Sequence, residues 1–115
     1  ITVAVAKDRA IESFMQVNKT FVINILREDN FQKMFRHFLK RFAPGADRFA
    51  DVDIIEDLAK GGPVLSEALA FLDCKVISRL ETPDHWIIYG IVENGSVSDL
   101  TCKTAVHHRK VANHY

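Results

Sequence analysis

Ala68-Leu-Ala-Phe-Leu-Asp-Cys-Lys-Val-Ile-Ser-Arg-Leu-Glu-Thr-Pro-Asp-His-Trp-Ile-Ile-Tyr-Gly-Ile-Val-Glu-Asn-Gly-Ser-Val97 decides the fold of this chain. Leu72, Cys74, Val76 and Leu80 alternate with Asp73, Lys75 and Arg79. A period of two places the first set on the core side of a strand and the second on a wet side. Glu81-Thr82-Pro83-Asp84 reads as a turn, since Pro presets φ and Asp bonds its own backbone, and His85 to Glu93 follows as a second strand. Asn94-Gly95 tolerates the left-handed φ values of a two-residue hairpin, so it predicts a further reversal into a strand near Val97. The pattern is an antiparallel meander.

Working upstream, Ile1, Val3 and Val5 share one face of a strand over residues 1–6, and the small Thr2, Ala4 and Ala6 share the other. Such a strand suits close approach from one side. Because the chain opens directly on this β-branched run, the expectation is a sheet whose first strands lie before residue 1. Lys7-Asp8-Arg9 ends the strand, Asp8 reads as the cap of a short helix with Glu12 in its first turn, and Ile11, Phe14 and Met15 fall on one helical face. Phe21 to Leu26 returns to period two. Asp29 with Gln32 has a capping-box-like spacing and predicts a helix carrying Phe31, Met34, Phe35, Phe38, Leu39 and Phe42, stopped by Ala43-Pro44-Gly45. Its opposite face holds Lys33, Arg36, His37, Lys40 and Arg41. Asp47 to Pro63 reads as irregular surface, and Thr104 to Tyr115 as a strand running into a polar tail. The whole predicts a mainly β fold, a small antiparallel barrel with helices at its flank.

A length of 115 residues with 48% hydrophobic and 26% charged content describes one globular domain. Fifteen basic and fifteen acidic side chains leave no global field to draw in nucleic acid or an anionic membrane. No apolar run approaches the roughly 20 residues of a membrane span, and no leader is recognisable, so the expected location is the cytoplasm. Cys74 and Cys102 lack Cys-x-x-Cys spacing, which points to two reduced thiols and not to a zinc or dithiol site.

Three places can carry chemistry. Lys7-Asp8-Arg9, at a strand end and helix start, offers backbone N–H groups and two cations to a phosphate, or is a solvated turn. His85 stands at a hairpin mouth, either facing a cleft and titrating near neutrality or bonded to Asp84 as a turn residue. His107, His108 and His114 invite a metal, but adjacent strand histidines point to opposite faces and no acidic or thiol partner completes a set, so no metal site is expected. The basic helix face reads as solvated, its phenylalanines being committed to the apolar stripe. No nucleophile triad, Walker loop or Gly-x-Gly-x-x-Gly is present.

Asp84-His-Trp-Ile-Ile-Tyr-Gly-Ile-Val92 resembles the Asp-His-x-hydrophobic-x-x-Gly-x-Val signature of the flavin reductase-like FMN-binding split-barrel family. Phe42 with Asp47-Arg48-Phe49, the strand Leu72 to Val76, and Tyr115 are similar to further landmarks of that family. Residues 7–13, 37–50 and 104–115 resemble the carboxy-terminal reductase module of cyanobacterial diflavin flavodiiron proteins, and the likeness runs along essentially the whole chain. Ala112 stands where that pattern has Gly. The resemblance implies an antiparallel split β-barrel lacking its amino-terminal strands, with residues 1–115 forming a partial domain that binds FMN, takes a hydride from NAD(P)H and forms a homodimer. It implies a parent whose flavodoxin-like and di-iron domains pass electrons on to reduce oxygen to water. It also implies Lys7, Asp8 and Arg9 near the flavin phosphate, His85 on the nicotinamide side, and Arg109 and Tyr115 near the flavin or the dimer interface. A non-catalytic FMN-holding or dimerisation scaffold is the alternative.

Overall fold

The computed structural model describes residues 1–106. Four strands form one antiparallel sheet in the order β1 (Thr2–Ala6), β6 (His85–Val97), β5 (Ala68–Glu81) and β2 (Thr20–Leu26). A 3-10 helix, Ala10–Phe14, follows β1, and α1 (Phe31–Phe38) follows β2. Two short strands, β3 (Ile54–Ile55) and β4 (Val64–Leu65), pair with each other. The mainly β, antiparallel architecture read from the sequence is present, built round the long β5–β6 hairpin.

Two apolar clusters hold it. Under the 3-10 helix lie Val5, Met15, Phe21, Cys74, Val76 and Ile88, the last three with no exposed surface. Burying side chains of this size contributes about 1.5–3 kcal/mol each. At the other end of the sheet Met34 of α1 packs on Val52, Leu65 and Ala68. Val52 therefore brings part of the predicted surface segment into the core.

Four local expectations need correction. Asn94-Gly95 makes no hairpin, because β6 runs on through Asn94↔Asp73 and Gly95↔Leu72. Neither residue has the positive φ that such a turn requires. Gly95 instead permits close packing, for a Cβ there would stand 2.7 Å from the Phe71 carbonyl oxygen. Second, α1 is shorter than the predicted helix at both ends. Asp29 accepts from the Arg27 guanidinium at 3.1 and 3.2 Å, Asn30 holds the cap position without a side-chain capping bond, and Leu39 is 66% exposed beyond the last turn. Third, the helix after β1 is 3-10, Arg9 and not Asp8 holds the cap position, and Phe14 is 69% exposed. Fourth, the stretch from Thr104 contributes an isolated bridge, Arg27↔Thr104, within the described residues.

The alternation in β5 also changes sides. An extra residue between Val76 and Ser78 breaks the register with β6. Beyond this bulge a one-residue slip exchanges the two faces. Leu80, predicted inward, is 66% exposed, and Arg79, predicted outward, has a side chain only 9% exposed. Asp73 was predicted wet as well but is 4% exposed. Its carboxylate accepts the backbone N–H groups of Lys60 at 2.8 Å and Gly61 at 3.0 Å. Gly61 fits because it lies on Phe21, whose backbone a Cβ would meet at 2.4 Å.

Candidate functional site

The two candidate motifs, far apart in sequence, meet at one end of the sheet. β1 pairs with β6 so that Ala6 lies opposite His85, and the Lys7 backbone N–H donates to the Asp84 carbonyl at 3.0 Å. Turn Lys7–Arg9 and turn Thr82–His85 are therefore neighbours. The second turn is tightened by Thr82, whose hydroxyl donates to the His85 carbonyl at 2.8 Å and accepts the His85 N–H at 3.0 Å.

His85 itself is paired. Its Nδ1 lies 2.9 Å from Asp84 Oδ1, and its side chain stays 40% exposed. The bond from His85 holds the Asp84 carboxyl below its usual range. One imidazole nitrogen is thus oriented by the Asp84 carboxylate. On the same face β1 offers small side chains, Ala6 beside His85, Ala4 beside Ile87 and Thr2 beside Tyr89. Leu80, opposite Ile87 on β5, and Tyr89 continue this face and are 66% and 46% exposed. The result is an open, largely apolar face with a histidine at its end.

The cations differ from one another. Lys7 Nζ binds Glu81 at 2.7 Å and stands 5.3 Å from the Trp86 ring centroid. Arg9 has a side chain 73% exposed and only a 3.6 Å approach to Asp8, so it is the available cation of the turn. Ser13, one helical turn on, adds a hydroxyl that is bonded to the Ala10 carbonyl at 2.9 Å. Of these groups the exposed Arg9 guanidinium is the one whose donors are largely unengaged, and it suits a phosphate monoester.

Sequence reasoning missed Glu12, Arg79 and Trp86. Arg79 pairs with Glu12, and its guanidinium carbon lies 4.1 Å from the Trp86 ring centroid. That pairing lowers the Glu12 carboxyl below its usual range. The bulge at Val76/Ser78, which turns Arg79 inward, leaves no mark in a plain reading of alternation.

Elsewhere a cleft of about 650 Å3 opens between the 3-10 helix and the Gly61–Pro63 loop, lined by Phe14, Phe21 and Phe49 among others. Among the described residues Lys19 is its one charged lining residue, and Lys7, Asp8, Arg9 and His85 do not line it. It offers apolar contact without acid–base chemistry. Cys74 is buried, which pushes its thiol pKa up, and Cys102 is likewise free, as two reduced thiols should be. No helix of the described residues is long and apolar enough to cross a membrane. Arg109, Tyr115 and the histidines 107, 108 and 114 lie outside the described residues.

Known proteins with this sequence and shape can now be set beside that geometry. The family model of the flavin reductase like domain matches residues 1–113. Diflavin flavoprotein A 1 of Synechocystis sp. is 60% identical over 114 residues, which are 99% of this chain and 20% of that protein. The chain thus spans about a fifth of the length of the curated relatives it matches. The NADH:FAD oxidoreductase SgcE6 of Streptomyces globisporus superposes with a TM-score of 0.74 at 26% identity, over 90% of this chain and 60% of that one. A second structure of SgcE6, with NAD and FAD fragments, matches at 25% identity over 90% of this chain and 59% of that one, with a TM-score of 0.74. The styrene monooxygenase flavin reductase of Pseudomonas putida shares the fold, with a TM-score of 0.66 at 24% identity over 90% of this chain and 62% of its own.

Proposed function

The chain belongs to the flavin reductase-like domain family, and from that premise we propose that it uses NAD(P)H to reduce a flavin, FMN in the first place, held on the open face beside His85. The observation that carries this reading is the register Ala6↔His85 with its Lys7 to Asp84 backbone bond, which sets a cationic turn next to an oriented imidazole. Arg9, with Lys7 and Asp8 of the same turn, would take the flavin phosphate. The methyl surface of Ala4 and Ala6 would lie under the ring, and His85 would stand on the nicotinamide side. Arg109 and Tyr115 are assigned near the flavin or a homodimer contact by resemblance alone. The flavin supplies the hydride chemistry, and the chain's own share is to bind, orient and exclude water.

On this reading the residues act as a partial reductase domain of a longer polypeptide. Its flavodoxin-like and di-iron domains would receive the electrons and reduce oxygen to water. The printed name of the Synechocystis relative, a diflavin flavoprotein five times as long, supports a second flavin centre outside this segment.

The test is His85→Ala in the full-length polypeptide. We expect its flavin content to be kept and anaerobic flavin reduction by NADH or NADPH to slow by up to about 100-fold, the scale for losing an orienting group. Wild-type protein that binds flavin but is not reduced by either nicotinamide would leave the scaffold reading in its place.

A further inference from the structure

We infer that Arg79 is a positioning residue that fixes the cationic Lys7–Arg9 turn against the His85 strand. It thereby sets the phosphate end of the flavin site relative to its nicotinamide end. This role rests on the flavin-reductase reading above.

Arg79 lies on β5, the middle partner of the hairpin, and the Val76/Ser78 bulge turns its side chain to the covered face until only 9% is exposed. From there it reaches two elements. Its guanidinium bonds Glu12 of the 3-10 helix, the helix that begins directly after Arg9. It also lies 4.1 Å from the ring of Trp86, the residue next to His85. Lys7 approaches the same ring at 5.3 Å and is bonded to Glu81 at 2.7 Å. The chain Glu12, Arg79, Trp86, Lys7, Glu81 therefore ties together the 3-10 helix, β5, β6 and the turn after β1.

Stability alone does not account for an arginine here. Removing a guanidinium from water is costly, and a buried ion pair replaced as a whole by well-packed apolar side chains commonly loses nothing in stability. Arg79 Nε is in addition buried without an acceptor, which is a further cost. What arginine supplies and an apolar residue cannot is direction. A planar guanidinium, bonded to Glu12 through one Nη and lying over an indole ring, holds the helix at one place. Glu12 and Arg79 are 67 positions apart, so no local rule of helix or strand would otherwise fix that placement.

The test uses Arg79→Met and Arg79→Lys in the full-length polypeptide, with Glu12→Gln as the partner variant. Affinities for FMN and riboflavin are measured, together with nicotinamide-driven reduction at saturating FMN and the melting temperature. We expect the double variant Arg79→Met/Glu12→Gln, which removes the pair whole, to keep its melting temperature, and Arg79→Met alone to lower it modestly, since Glu12 is left without its partner. In Arg79→Met the effect on binding is selective. FMN should weaken about tenfold and riboflavin little, and reduction should slow about tenfold, within the coupling range of residues in one network. Arg79→Lys should fall between wild type and Met, and Glu12→Gln should match Arg79→Met with no further loss in the double variant. Equal weakening of FMN and riboflavin would make Arg79 a purely structural residue and overturn the proposal. So would wild-type affinity and rate in Arg79→Met. Should Arg79→Met fail to fold, Arg79→Lys and Glu12→Gln decide by the same FMN-to-riboflavin ratio. A wild-type protein that takes up no flavin sinks the reductase reading itself, whereas an active wild type with unaltered variants sinks only the positioning role.

Discussion

The two faces of the β5–β6 hairpin are built from similar residues and behave in opposite ways. On the face under the 3-10 helix, Val76 and Ile88 have no exposed surface, and beyond them Arg79 and Lys7 are each neutralised by a carboxylate and laid against Trp86. On the other face Ile87 is flanked by Ala4 and by Leu80, which is 66% exposed, and His85 closes the row with its imidazole half in solvent. Covered and charged on one side, bare and apolar on the other: the difference separates what holds this end of the sheet together from the face on which we propose the flavin to lie.

The comparison can be broken most forcefully at Ile88. Ile88→Ala removes buried methyl groups from the covered face and should cost about 2–5 kcal/mol, read from urea unfolding. A loss below 1 kcal/mol would mean that this face is not the core. Next in size is a binding effect, Arg9→Ala, which should weaken FMN by about 1.5–3 kcal/mol for a lost charge-assisted hydrogen bond and leave riboflavin unchanged, by fluorescence titration. If both flavins weaken alike, the turn does not hold the phosphate.

Acid sharpens the same contrast. Glu12 has its carboxyl lowered in the folded chain, chiefly by its bond from Arg79. A lowered folded value means that its stabilisation is in place above the unfolded carboxyl range near about pH 4.3 and disappears as pH falls through the folded value. Melting temperatures from pH 6 down to pH 3 should therefore fall more in the wild type than in Glu12→Gln, and parallel curves would remove the pair from the account. Smallest of all, Leu80→Ala on the bare face should change stability by no more than about 0.5 kcal/mol in chemical denaturation, as an exposed position does.

Much of the fold was legible because period two is a strong strand signal: Val5 between Ala4 and Ala6, and Cys74 between Asp73 and Lys75, mark β1 and the first half of β5, and the β-branched and aromatic runs mark β2 and β6. What was not legible has identifiable causes. Asn94-Gly95 carries a hairpin signal, but β5 continues opposite it, so tertiary pairing overrides local turn preference. Asp29 can cap a helix, yet Arg27 two residues back claims its carboxylate. Of the candidate site, Lys7 to Arg9 and His85 could be named separately, but their adjacency exists only in the register of β1 with β6. The partnership of Arg79 with Glu12 was hidden for a stricter reason, since alternation puts Arg79 on the wrong side of its strand.

That extra residue between Val76 and Ser78 also bears on how this hairpin should be rebuilt. It acts as a change of phase: an apolar-polar code written for the residues before it must be inverted for those after it. A combinatorial library that carried one code through from Leu72 to Glu81 would place charges in the core or remove Arg79 from its pair with Glu12, whichever half it had right. Grafting the hairpin onto another sheet would likewise have to carry the bulge with it, because without that one residue Leu80 and Arg79 exchange sides.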